Sequence, residues 1–388
     1  CHTFVSAIDL TDPAQPVVSS EVDLWTIPGA VQATDRFLFV ATTGSRVPRP
    51  WERLAEWVVA GNRGVVVFDL RKGRLDQGPV GYFRTEGRVS NKFNIGVFGP
   101  EEQSLAVVSQ VDGEGRLVPG DPVKGGGQVW EWTPSRTVLE TYALSTLTNH
   151  APVGQITLVT NESLFGTRFS GDRAYIVTFR SVDPLWIVDL RDPALPEIRG
   201  EMKIPGYSTY LQPLANNTRL LTLGVDGSRT AVQLFDVADP GKPSLLSKAV
   251  LGEGWSWTEG NVDEKAFQVF PEAGLILVPW QGQRGTDPAG SWFRGVQLID
   301  LDLPNGQLKA RGVVDHAMQA RRATLIDSRV VSLSAQELLS VDATDRDQPR
   351  IRAELPLSRR VDRVFLKDDR LVQVGQGSDR PALLTLTS

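Results

Sequence analysis

One cysteine, two methionines and three histidines in 388 residues exclude several chemistries at once. Cys1 has no partner in the chain, so an intramolecular disulfide cannot form. The histidines are His2, His150 and His316, and no H-x-H, HExxH or C-x-x-C spacing occurs. No metal site and no cofactor are therefore expected. Charge of one sign is not in excess: 41 Lys and Arg stand against 46 Asp and Glu, a net charge of -5. That balance lacks the basic footprint of a nucleic-acid binder. No apolar run approaches the ~18 residues that cross a bilayer. The glycine run at 125–127 lacks the Lys-Ser/Thr of a phosphate loop, and no G-x-S-x-G elbow appears, so no catalytic residue is nominated.

Amphipathic helical patterns are almost missing too. What fills the chain is a repeated phrase: an apolar strand, an aspartate, an Asp-Pro turn and a second strand. It reads SAIDLTDPAQP at 6–16, LWIVDLRDPALP at 185–196, QLFDVADPGKP at 233–243 and LSVDATDRDQP at 339–349. Calcium loops need several converging oxygens and a Gly at a tight bend. Here Pro fixes φ after the second Asp, and Asp closes its own turn through an Asx bond. The phrase is structural punctuation, and no metal is expected at it.

Strands ending in an acidic residue recur near Asp9, Asp69, Glu131, Asp189, Asp236, Asp300 and Asp342, and one more strand, PALLTLTS, ends the chain. Their spacing of roughly 42 to 64 residues is that of propeller blades carrying insertions. Each interval also holds a strand after the turn, such as 17–24 or 198–203, and a hairpin with a short polar tip, such as 34–36, 171–173 or 216–218. Four antiparallel strands per repeat predict an all-β fold, a β-propeller of four-stranded blades. Seven blades follow from the seven intervals, with eight as the alternative. The whole chain, 1–388, is expected to be one domain, its ring closed between strands in 3–24 and 361–387.

The stretch GTRFSGDRAYIVTFRSVDPLWIVDLRDPALPEIRGEMKIPGYSTYLQPL, 166–214, resembles a secreted bacterial and archaeal β-propeller family distantly related to WD40 repeats. Its marks are Arg168, Phe169, the run 171–175, the run 177–179, the run 182–185 and the run 203–207. The likeness continues through EKAFQVFPEAGLILVPW and RGVVDHAMQARRATLID and fades before residue 90. The resemblance implies secretion and a propeller, and no agreed activity. A sole cysteine at position 1 adds a second expectation. Exported lipoproteins are acylated on such a residue, and several acyl chains anchor stably. On that reading the protein sits in the periplasm or at the cell surface, lipid-anchored to the outer membrane through Cys1. The rival reading is that the sequence simply starts there.

Loop length nominates the working face. Turns after the acidic strand ends are short, whereas long excursions fall at 43–63, 109–127, 140–164, 252–264 and 281–294. Binding residues concentrate on loops carried by rigid scaffolds. That face is expected to present Trp51, Trp57, Trp255, Trp257, Trp292 and Arg284, residue types of interface hot spots. Residues 50–60, PWERLAEWVVA, can form a short helix with Trp51 and Trp57 on one stripe. A second candidate set, Arg168, Arg180, Asp183, His316, Arg321 and Arg322, is expected near the central channel, either as an ion network between blades or as an anion site. The leading expectation is a non-catalytic scaffold that binds a protein or a cell-envelope component. The alternative is a hydrolase or lyase with a carbohydrate-like or anionic ligand in the channel.

Overall fold

The computed structural model describes every residue except 1–2, 25, 46–62, 73–74, 120–127, 148–150, 180–182, 205, 285–291, 359–360, 362, 368–369, 376–382 and 388. Among the described residues the chain forms strands and short 3-10 turns only. Six antiparallel sheets of four or more strands follow one another: blade 1 (26–84), blade 2 (95–160), blade 3 (163–204), blade 4 (207–250), blade 5 (256–315) and blade 6 (320–356). Within each, the strands lie side by side in chain order, apart from an extra short strand, Gln268–Phe270, in blade 5. Thr3–Asp9 pairs with Val17–Leu24 at one end of the chain, and Arg363–Lys367, Arg370–Gly375 and Leu383–Thr387 form a three-stranded sheet at the other.

Sequence explains which strand takes which place. The middle strands are continuous apolar runs, such as Phe37–Ala41, Val65–Phe68 and Ala174–Val177, and nearly every side chain in them is buried. A strand covered on both faces reads this way, whereas one with a wet face alternates. The fourth strand is the wet one: Glu197–Ile204 alternates, and Arg350–Pro356 is exposed along its length.

Aspartates of the repeated phrase close Asx turns. Asp189 Oδ1 accepts from the Arg191 N–H at 3.0 Å, and Asp192 Oδ1 from the Ala194 N–H at 2.9 Å. The same pair of bonds recurs at Asp9 and Asp12, at Asp236 and Asp239, and at Asp342 and Asp345. At Asp189 and Asp342 the turn also meets a bulge in the fourth strand of its blade. In blade 3, Ile187 faces Gly200 and Val188 faces Ile198, so Arg199 is left over. Its guanidinium turns back to Asp189 at 3.5 Å, as the bulged Arg311 does to Asp300 at 2.8 Å and Arg352 to Asp342 at 2.7 Å. Beside the bulge sits a residue with no room for a side chain. A Cβ on Gly200 would fall inside contact distance of the Pro240 carbonyl, and one on Gly312 would lie 2.6 Å from the Asp347 carbonyl and from Pro349. The turn of the following blade thus packs its backbone onto the bulge of the blade before it.

One strand assignment changes, and with it the long excursion expected at 140–164, which holds the end of the strand Arg136–Ala143 and all of Gly154–Thr160. Gln128–Thr133, read as the acidic-ended third strand near Glu131, is instead the second arm of an inserted hairpin with Glu114–Pro119. The third strand of blade 2 is Arg136–Ala143, which pairs with Ser104–Val111 and Gly154–Thr160. VWEW alternates as a third strand would, and only long-range pairing tells the two apart.

The chain divides into two compact units, 1–222 with 235–244, and 223–234 with 245–388. In the first, Phe37, Phe39, Val65, Val67, Phe83, Ile95, Leu105 and Tyr142 fill one core between blades 1 and 2. In the second, Leu277, Val296, Leu298, Val330, Leu339 and Val341 fill another between blades 5 and 6.

Candidate functional site

In blade 5 the second and third strands, Leu275–Gln283 and Trp292–Asp302, pair in register as far as Gln283 opposite Trp292. Backbone bonds tie residues 253–256 beside them: Gln283 N–H donates to the Trp255 carbonyl at 2.9 Å, and Glu253 N–H to the Gln283 carbonyl at 3.1 Å. Ser256 Oγ accepts from the Thr230 N–H and donates to the Leu251 carbonyl, at 2.8 and 2.7 Å. This stapling fixes Trp255 against Trp292. Their rings stack with centroids 5.7 Å apart and planes 19° apart, yet 43% and 48% of the two residues stay exposed. Arg284, also exposed, lies 5.1 Å over the Phe293 ring and 3.6 Å from Asp315. Trp257, paired with Gln281, is half-buried. Of the expected aromatic face, the structure therefore assembles Trp255, Trp292 and Arg284 with Trp257 next to them. Trp51 and Trp57 lie outside the described residues, as does Cys1.

A second exposed stack, which loop length does not nominate, lies on the inserted hairpin. Trp130 and Trp132 have centroids 5.8 Å apart and are 59% and 71% exposed. Trp132 covers Gly115, its cross-strand partner, while Arg116 and Glu131 pair at 2.6 Å. The signal was present as alternation in VWEW, which places the two tryptophans on one face of a strand.

Of the channel candidates, Arg180 lies outside the described residues, and Asp183 begins the third strand of blade 3. Arg168 is half-buried on the first strand of blade 3, Ser163–Ser170, with its guanidinium 4.7 Å from the Phe93 ring centroid and 5.7 Å from that of Tyr210. Arg321 is exposed, and Arg322 bonds Asp263. His316 is tied on both sides: Nδ1 meets Glu337 Oε1 at 2.9 Å and Nε2 meets Ser332 Oγ at 2.6 Å. A carboxylate only accepts, so Nδ1 carries the proton and Nε2 accepts from the serine hydroxyl. Burial pulls the His316 pKa down, against the Glu337 carboxylate, which pulls it up. Serine, histidine and acid are linked here as in an acyl-transfer triad. Ser332, however, has 0% exposure. The network also holds the Ala317 N–H on Glu337 Oε1 at 2.8 Å, so it clamps the turn entering blade 6.

Glu140 is a further buried carboxyl. Burial raises its pKa to about 7, against the pull of the Glu86 N–H that it accepts at 3.0 Å. The Glu86 carboxylate bonds Arg136 and Gln155. Tyr142 is pushed far up, chiefly by burial, and its hydroxyl donates to the Arg84 carbonyl at 2.7 Å. Among the described residues, no three His, Cys, Asp or Glu side chains converge to hold a metal. A cavity of about 390 Å³ lies at the turns of blades 3 and 4, lined by Asp172, Arg173, Asp189, Arg191 and Arg199 among others. Its arginines are already paired with Asp189 or with backbone carbonyls.

A family model described as the beta propeller domain matches residues 3–329. An uncharacterized protein of Methanocaldococcus jannaschii is 43% identical over 108 residues, which is 27% of this chain and 17% of that protein. An uncharacterized protein of Archaeoglobus fulgidus is 38% identical over 139 residues, 36% of this chain and 22% of that one. The aligned stretches are thus a minor part of the curated relatives' length. Among solved structures, a candidate 6-phosphogluconolactonase of Bacteroides fragilis is similar at a TM-score of 0.45 and 10% identity, covering 89% of this chain and 88% of its own.

Proposed function

The chain belongs to the beta propeller domain family, and on that premise we propose that it is a non-catalytic binding scaffold whose partner docks on the aromatic face of blade 5. The observation that carries this reading is the exposed Trp255–Trp292 stack, with exposed Arg284 next in the chain to Gln283, the cross-strand partner of Trp292. An exposed tryptophan costs solvation unless something covers it, and each ring offers roughly 100 Å² of apolar surface to a partner. Both side chains are held before any partner arrives, so little ordering entropy opposes docking. Trp and Arg together are the residue types that dominate binding energy at protein interfaces. The partner is a protein or a component of the cell envelope, and the scaffold works outside the cytoplasm. That setting rests on the likeness of 166–214 to secreted propellers.

The test uses the purified chain and the envelope fraction of the source cells. Co-sedimentation of the wild type is expected, with retention lowered at least about tenfold in the Trp255→Ala, Trp292→Ala double variant. Both side chains are half exposed, so the variant's circular dichroism and unfolding midpoint stay near wild type. Equal retention of the two proteins would refute the choice of face.

A further inference from the structure

We propose that the first strands of blades 2, 3 and 4 hold an oxyanion site built around Arg168, for a small ligand bearing a carboxylate or phosphate. Arg168 lies on the first strand of blade 3, between Phe93, in the turn that leads into the first strand of blade 2, and Tyr210, on the first strand of blade 4. Its guanidinium carbon is 4.7 Å from one ring centroid and 5.7 Å from the other. The rings themselves meet edge-to-face with centroids 5.9 Å apart.

Cation–π contacts occupy the flat faces of a guanidinium and leave its five in-plane N–H donors unspent. Among the described residues the Arg168 guanidinium forms no ion pair and no hydrogen bond. Arginines elsewhere on the molecule, such as Arg199, Arg311 and Arg346, are paired with aspartates. A half-buried arginine without a counter-ion is costly unless a ligand supplies one. The Lys92 ammonium stands 5.0 Å from the same Phe93 ring, which puts a second cation within roughly 10 Å of the guanidinium. An oxyanion received by the guanidinium fork would supply the counter-ion that Arg168 lacks, and the fork matches a carboxylate or phosphate in a bidentate way.

The platform is also held in advance. Asn91 Oδ1 accepts from the Phe93 N–H at 3.0 Å, and Asn94 Oδ1 from the Asn91 N–H at 2.9 Å, a reciprocal cap on the turn 92–94. The Asn94 amide then donates to Thr167 Oγ1 at 2.9 Å, tying that turn to the strand carrying Arg168. Such preorganisation belongs to a binding site more than to a surface charge, which gains nothing from it.

Isothermal titration of the whole chain with sodium citrate, sodium phosphate and glucose, at constant ionic strength, tests the site. Saturable heat is expected with citrate, with phosphate or with both, and none with glucose; citrate against phosphate identifies the preferred oxyanion. Arg168→Met keeps the stem over the rings and removes the charge, and it is expected to weaken anion binding by about tenfold or more. Its unliganded melting temperature is expected to equal or exceed that of the wild type, because an uncompensated charge is gone. Lys92→Met serves as an independent variant, with a few-fold loss of affinity expected. No saturable heat with either anion overturns the proposal, as does wild-type affinity in both variants.

Discussion

Removing the Glu337 carboxylate tests whether the Ser332–His316–Glu337 chain is a structural clamp. In Glu337→Ala two buried donors lose their acceptor, His316 Nδ1–H and the Ala317 N–H. An orphaned buried donor costs about 1–3 kcal/mol, so the variant is expected to lose about 2–6 kcal/mol. Partial solvation at the rim of Glu337, whose side chain keeps 11% exposure, favours the lower half of that range. Ser332→Ala removes only the donor to Nε2 and is expected to cost about 1–2 kcal/mol. The two defects share the imidazole, so the double variant is expected to lose less than the sum, with a coupling of about 0.5–3 kcal/mol. Urea unfolding followed by tryptophan fluorescence reads this as a midpoint lowered by about 1 M or more for Glu337→Ala. Acid sharpens the test. The lowered His316 pKa means that, as pH falls below ~6.5, the unfolded chain takes up this proton first and stability drops. Glu337 opposes that lowering, so Glu337→Ala widens the acid-sensitive window. If Glu337→Ala unfolds no earlier than Glu354→Ala, a change at an exposed carboxylate, the clamp is not there.

Two further perturbations address the fold. Gly200→Ala places a methyl group against the Pro240 carbonyl, which is backbone and cannot rotate away, so a loss of about 1–3 kcal/mol in urea unfolding is expected; Gly227→Ala, with nothing near its Cβ and only a left-handed φ of 64° to oppose it, is expected to cost about 1 kcal/mol, and equal costs would sink the docking account. Glu140, raised to about 7, keeps its proton in the folded chain after the unfolded chain has lost it above ~4.3, so its contribution is full in acid and is lost as pH rises through about 7. Glu140→Gln removes that slope, so its stability relative to wild type is expected to improve between about pH 5 and about pH 8 by an amount on the order of 3 kcal/mol, whereas a pH-independent gap would refute the assignment.

The repeated Asp-Pro phrase made most of the fold readable in advance. Asx turns and continuous apolar runs are local features, decided within a few residues by side-chain hydrogen bonding and by burial on both faces. The positions of the second, third and fourth strands around 163–204 follow from them. The stretch 114–133 was misread for the complementary reason. GQVWEW has the alternation of a strand ending, and its true partner, Glu114–Pro119, is set by pairing that no short window contains. The insertion hid both the hairpin and its tryptophan stack.

The site shows the same division. Sequence alone put Trp255, Trp257, Trp292 and Arg284 on one set of long loops, because loop length and residue type are written in the chain. Only tertiary structure stacked Trp255 on Trp292, since that contact joins segments 37 residues apart through the pairing of 253–256 with Gln283. Sequence could name Arg168 and His316 as charged or titratable residues near inner strands, and it could not tell their situations apart. Tertiary packing gave His316 two hydrogen-bonding neighbours and gave Arg168 two aromatic rings and no described counter-charge. Secondary structure and turn chemistry depend on neighbours along the chain, whereas the partner of a charge depends on which blade is packed beside it.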